Sequence, residues 1–134
     1  MPPKQLLVRV AELNAECIGF DDNYSDPEYL AARVNLKYFT AKVDGEVVGY
    51  LIYRVLPTHL ESVRRGITRA QRRKGLGTRL SKRLLTVANT EGKPIYTYVS
   101  KSNLASLNGN LRLGYLVRNI DEHWVRLVYR PNPD

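Results

Sequence analysis

The chain of 134 residues lacks several features that would assign its class at once. It has one cysteine, Cys17. A single thiol excludes an internal disulfide framework and a cysteine-rich zinc site, and no metal is expected. No apolar run approaches the ~18 residues of a membrane-crossing helix. The opening MPPKQLLVRV has no signal-peptide core or cleavage site, so the expectation is cytoplasmic residence with no membrane partner. Repeats, low-complexity tracts and linkers are also missing. The length then suits a single domain over 1–134 with a substantial core.

Charge of one sign is missing in two places. Between Glu61 and Glu91 there is no acid, but there are nine bases: Arg64, Arg65, Arg69, Arg72, Arg73, Lys74, Arg79, Lys82 and Arg83. The other 12 bases face 13 acids, so the whole excess behind the net charge of +8 sits in this stretch. A local anion site explains it as well as a nucleic-acid surface would. Conversely, Glu12, Glu16, Asp21, Asp22, Asp26 and Glu28 share a base-free stretch. It reads as a solvated face or, more sharply, as a surface that attracts a cationic substrate.

The remaining patterning gives the elements. Residues 6–13, LLVRVAEL, read as a first strand and also tolerate a helical reading. A helix is expected from Asp26 to Leu36, with Asp26 as N-cap, Pro27 first in the helix, and Leu30 and Val34 on one face. Tyr38–Val43 and Glu46–Val55 form a hairpin about Asp44-Gly45, whose two central residues need positive φ. His59–Ile67 is a third strand. From Gly75 to about Asn89 the spacing of Leu76, Leu80, Leu84 and Val87 or Ala88 is helical, with Gly92 and Pro94 as its stop. Ile95–Val99 is a short strand. Ser102 or Asn103 caps a helix carrying Leu104, Leu107 and Leu111, closed by Gly114. Tyr115–Val117 and His123–Tyr129 end the chain as a hairpin. The order suggests a mixed α/β fold: a mostly antiparallel sheet with one parallel crossover and helices on its faces.

The most informative stretch is Arg72-Arg73-Lys74-Gly75-Leu76-Gly77, a glycine turn that opens a helix. Free N–H groups converge at such a terminus and the helix dipole adds positive charge, which suits phosphate. Without a third glycine it is not the dinucleotide fingerprint, and no Gly-Lys-Ser/Thr follows for a nucleotide loop.

The segment Ile67-Thr68-Arg69-Ala70-Gln71-Arg72-Arg73-Lys74-Gly75-Leu76-Gly77-Thr78-Arg79-Leu80 resembles the acetyl-CoA motif of the GNAT acyltransferase superfamily. Downstream, Val99, Asn103 and Ser106 followed by Leu113-Gly114-Tyr115 resemble its second motif. Upstream, Val47-Val48-Gly49-Tyr50 also fits. The resemblance covers roughly residues 38–117. It implies a splayed parallel strand pair whose gap takes the pantetheine arm. It also implies that the N–H of Ile67 or its neighbour polarises the acetyl carbonyl. The N–H groups from Arg73 to Thr78, Leu76 among them, would hold pyrophosphate, with charge from Arg72, Arg73 and Lys74. Gly75 and Gly77 would allow close approach. Thr68, Asn103, Ser106 and Asn110 complete the cofactor set, although Asn103 reads equally well as a helix cap.

Amine acetylation needs a base for the ammonium proton and, in many cases, an acid for the departing thiolate. Glu61, six residues before Ile67, resembles the glutamate base of the histone-acetyltransferase branch. By strand parity it shares a side with Ile67 unless a bulge intervenes, and its plain reading is a surface glutamate. His59 is a second candidate. The family often places a proton-donating tyrosine where this chain has Asn110, which has no phenol to offer. Tyr115, with Tyr96 and Tyr98, are the substitutes. The resulting expectation is transfer from acetyl-CoA to a primary amine, a protein lysine or N-terminal amine. The alternatives are a small-amine enzyme, or a degenerate fold that binds CoA, protein or nucleic acid. Strand residues HWVRLVYR are the expected edge for a homodimer.

Overall fold

In a computed structural model the chain is described over residues 3–131, so the ends of the expected 1–134 domain lie outside the described residues. Six strands form one sheet in the order β1-β2-β3-β4-β6-β5, with β1 Leu36–Val43, β2 Glu46–Val55, β3 Leu60–Ile67, β4 Ile95–Ser100, β5 Leu116–Ile120 and β6 Trp124–Tyr129. All neighbours are antiparallel except β3 and β4. Helices α1 (Pro3–Cys17), α2 (Pro27–Ala31), α3 (Leu76–Glu91) and α4 (Leu104–Arg112) complete the chain. This is the mixed, mostly antiparallel arrangement with one parallel pair that the element order suggests.

The two faces of the sheet bury separate clusters. On one face α3 inserts Leu80, Leu84 and Ala88 against Leu51, Leu60, Ile95 and Leu127. On the other α1 packs Val10, Ala11 and Leu13 against Tyr50 and Ile52. Residues 6–13 are therefore helical, which settles the open reading. Their buried positions recur at the helical spacing of three and four, and that stripe is what β2 and β3 need as cover.

Asp44 and Gly45 take φ of 52° and 81°, as the tight turn requires. Asp26 caps α2, its side chain accepting from the Glu28 N–H. The expected helix to Leu36 is corrected: it ends at Ala31, Val34 is 98% exposed, and Leu36 is already the buried first residue of β1, paired with Arg54. Pairing with β2 wins over helix propagation there. The expected edge is corrected too. HWVRLVYR supplies β6, which lies between β4 and β5 and so has no free edge; the outer strand is β5.

Among the described residues, no helix is long and apolar enough to cross a membrane.

Candidate active site

The parallel pair is short. β3 and β4 are in register only at Leu60↔Ile95 and Glu61↔Tyr96. At the next step the Thr97 hydroxyl donates to the Ser62 carbonyl at 3.3 Å, in place of a backbone bond. Beyond it the strands diverge around a cleft of about 550 Å³. Val63, Arg64 and Arg65 form one wall, and Tyr98 and Val99 the other. Asn103 at the N-cap of α4, Ser106 and Asn110 within it, and Arg72 of the glycine turn close it. Four of the expected cofactor residues thus meet in one place.

The cleft has a backbone edge to offer. The Thr68 N–H is already bonded to the Val48 carbonyl at 2.8 Å. N–H groups of successive residues point to opposite edges of a strand. The N–H of Ile67 is therefore turned away from β2, toward the side that β4 has vacated. Of the two amides considered for the acyl carbonyl, Ile67's is the one left available. Its carbonyl is held by Arg72 Nε at 2.9 Å, so Arg72 folds back onto the strand end.

In the glycine turn that follows Arg72, Arg73 and Gly75 both take the left-handed conformation, φ 66° and 80°. No side chain caps α3, so the N–H groups of Leu76, Gly77 and Thr78 have no capping acceptor. A Cβ on Gly75 would meet nothing within 4 Å: the space above the turn is open. A Cβ on Gly77 would stand 3.3 Å from the Arg65 guanidinium carbon. Arg65 bridges the cleft to the helix, donating to Gly77 O at 3.2 Å and Ser81 Oγ at 2.8 Å. The sequence reading did not single out Arg65. Its place in the base run, two residues before Ile67, was the available signal. An open backbone cradle beside two guanidinium groups fits a pyrophosphate. Lys74 reaches Gln71 Oε1 at 3.0 Å, and Arg73 is exposed. Asn103 does cap α4, its Oδ1 accepting from the Ser106 N–H at 3.2 Å, and both residues also line the cleft.

The parity argument for Glu61 is corrected. β3 pairs Ile52 with Arg64 but Tyr53 with Ser62, so Val63 is an extra residue, a bulge. Ile67 packs on the α3 face, whereas Glu61 opposes Arg54 on the α1 face, with Arg54 Nη1 at 3.8 Å. There Glu61 lines two adjoining hollows of about 310 and 330 Å³, the first shared with His59, Tyr96 and Tyr98, the second with Ser62, Val63 and Arg64 of the cleft wall. His59 sits edge-on to Tyr96, ring centres 5.0 Å apart, and its Nδ1 is 3.0 Å from Thr58 Oγ1. Tyr98 lines both hollows and the cleft. Tyr115 is elsewhere. It is buried beside Tyr129 in the α3 cluster and is not among the cleft-lining residues, and burial pushes its phenol far up.

The acidic stretch is partly internal. Asp22 takes Arg64 Nη2 at 2.8 Å and Nε at 3.1 Å, and Asn14 Nδ2 at 2.8 Å. Asn14 in turn accepts from the buried Tyr50 hydroxyl at 2.6 Å. Burial would raise the Asp22 pKa, but the hydrogen bonds from Arg64 and Asn14 outweigh it and hold the carboxyl below its usual range. Asp22 is thus neutralised by the wall of the cleft. Among the described residues, no group of three or more His, Cys, Asp or Glu is placed to hold a metal.

Known proteins place this arrangement. A sequence search of curated proteins finds no match. Among solved structures, the chain is similar to the ribosomal-protein-S18-alanine N-acetyltransferase from Escherichia coli, at 15% identity and a TM-score of 0.81, covering 97% of this chain and 90% of that one. It is also similar to the PaiA N-acetyltransferase from Thermoplasma acidophilum, solved in complex with coenzyme A, at 16% identity and a TM-score of 0.75, covering 95% and 92%. The yncA protein from Salmonella typhimurium, solved with acetyl-CoA, gives 19%, 0.76, 98% and 91%. At these identities the likeness is one of fold. A profile of the acetyltransferase (GNAT) family matches residues 7–115. The chain belongs to the acetyltransferase (GNAT) family.

Proposed function

We propose that this acetyltransferase moves the acetyl group of acetyl-CoA directly onto a primary amine, a protein lysine or N-terminal amine, with Glu61 as general base. The observation that carries the reading is the splay between β3 and β4. It leaves the outer edge of β3 without a partner strand, reaches Arg72 just before the uncapped turn of Gly75, and shares Ser62, Val63 and Arg64 with a hollow that holds Glu61.

Each residue then has a task. The first-turn N–H groups of α3, with Arg65 and Arg73, take the pyrophosphate. The edge of β3 pairs with the pantetheine amides, and the Ile67 N–H stabilises the oxygen that gains negative charge. Glu61 accepts the ammonium proton, directly or through a water beside His59, because only the free amine has the lone pair to attack. Tyr98 is the phenol on the cleft wall and the better placed proton donor to the departing sulfur. For Tyr115 to serve, it would have to leave the core.

The test is incubation of a whole-cell lysate with isotope-labelled acetyl-CoA and the purified chain, followed by peptide mass spectrometry. Label on lysine or N-terminal amines supports the reading. Label confined to small amines would favour the small-amine alternative, and none anywhere would favour a binding module.

A further inference from the structure

The α1 face of the sheet is covered by helix over β2 and β3, whereas the surface of β4, β6 and β5 beside Glu61 carries exposed side chains. Two guanidinium groups lie there. Arg126 on β6 stacks over the Tyr98 ring of β4, 5.1 Å from its centre. Arg118 on β5 reaches across β6 to the Tyr96 ring, 4.9 Å from its centre. Arg118 can do so because it is the extra residue of a bulge: Val117 pairs with Leu127 but Asn119 with Arg126. Bulges re-aim side chains in this way.

Each ring face holds its guanidinium by cation–π attraction and takes up none of the strong N–H donors, which stay available to another partner. Among the described residues, neither Arg118 nor Arg126 has an ion-pair partner within 4.0 Å or a hydrogen bond to a protein oxygen. Arg54 and Arg64 nearby do have partners, Glu61 and Asp22. The other acid in the hollows, Asp121, accepts from the backbone N–H groups of His123 and Trp124 at 2.9 and 2.8 Å, and feels the charge of Arg126 from beyond ion-pair distance. Both arginines line the hollow that holds Glu61. An acceptor whose amine is at Glu61 therefore meets two cations that no carboxylate pairs within 4.0 Å. A lysine-rich acceptor would be repelled there; a carboxylate would be gripped by planar donors that match it.

We propose that Arg118 and Arg126 select an acceptor peptide in which an acidic residue flanks the reactive amine. This rests on the acetyl-transfer reading for the position of the amine, but its test does not need turnover. The sole tryptophan, Trp124, lines the second hollow, so its fluorescence reports binding. The full chain is titrated with a short peptide carrying Glu beside its free amine, and with matched peptides carrying Gln or Lys there. The Glu peptide is expected to bind at least about tenfold tighter, as charge-assisted bonds to a carboxylate do. That ratio should fall toward one in Arg118→Gln plus Arg126→Gln, while the variant still gains thermal stability from acetyl-CoA. Free glutamate, run as a further arm, separates a small-molecule acceptor: if it matches the Glu peptide, the peptide part is overturned. Equal affinity for the Glu and Gln peptides, or a preference that survives both substitutions, overturns the assignment. Selective binding without acetylation would sink the transfer reading and leave this one standing.

Discussion

The proposed chemistry turns on Glu61 and Gly75, and each makes a separable prediction. Loss of a general base costs about 10²–10⁴-fold in rate. Glu61→Gln is therefore expected to lower turnover by about a hundredfold at neutral pH, and less as pH rises toward the amine's own pKa. Acetyl-CoA affinity should be kept, because Glu61 lies on the α1 face, away from the cradle. A pH–rate profile with the acetyl-CoA Kd beside it checks both halves; a parent-like profile would move suspicion to His59. The candidate residues were legible in the sequence as identities but not as geometry. The glycine turn and Asn103 announce themselves by type and spacing. The bulge at Val63 does not, since nothing in the local sequence sets the β2 register that creates it. It is why Glu61 and Ile67 fall on opposite faces. Tyr115 was open for a related reason: residue type gives a phenol, and only packing shows it lodged beside Tyr129.

At the scale of elements, a close approach and a polar network are among the contacts that hold α1 to β3. A Cβ on Gly66 would stand 2.7 Å from Cys17 Sγ and 2.8 Å from Tyr50 Cε1. Gly66→Ala should therefore destabilise by about 1–3 kcal/mol, the usual cost of overpacking. Gly109→Ala is the counterpart: it lies inside α4 with nothing within 4 Å of its Cβ position, and should stabilise by about 0.5–1 kcal/mol. Urea unfolding at neutral pH measures both. The network through Asp22 makes a pH prediction. Its folded pKa is depressed, so the unfolded state binds the proton more tightly. The stability it contributes is present above the unfolded value of about 3.9 and is lost as pH falls below it, through the folded pKa. Asp22→Asn should lower the melting temperature at neutral pH and flatten its fall between about pH 5 and 3, where one carboxylate titrates. Melts across that range would show it. Elements with a strong period and clear stops, β2 and α3, were legible to within two residues. α1 and the end of α2 were decided by what the sheet needed covered or paired.

For the whole molecule, the +8 charge was legible as a local excess, and the structure divides it into parts. Arg64 and Arg72 are spent on Asp22 and on the Ile67 carbonyl. Arg83 lies over the Phe39 ring and donates to Thr40 O. Arg65 bridges β3 to α3 beside the cradle. These guanidinium groups are tied to separate parts of the fold and do not form one continuous row, which suits one phosphate-bearing donor better than an extended nucleic-acid track. That donor is the centre of the account, and a thermal melt tests it most directly. The chain is heated with and without acetyl-CoA, beside Gly75→Glu, which places a carboxylate in the open cradle at a left-handed position. At 100 times Kd the ligand should stabilise the native state by about 2.7 kcal/mol, raising the melting temperature of the parent by several degrees, and the variant should lose that rise. An unshifted melt of the parent chain at millimolar acetyl-CoA would contradict the account.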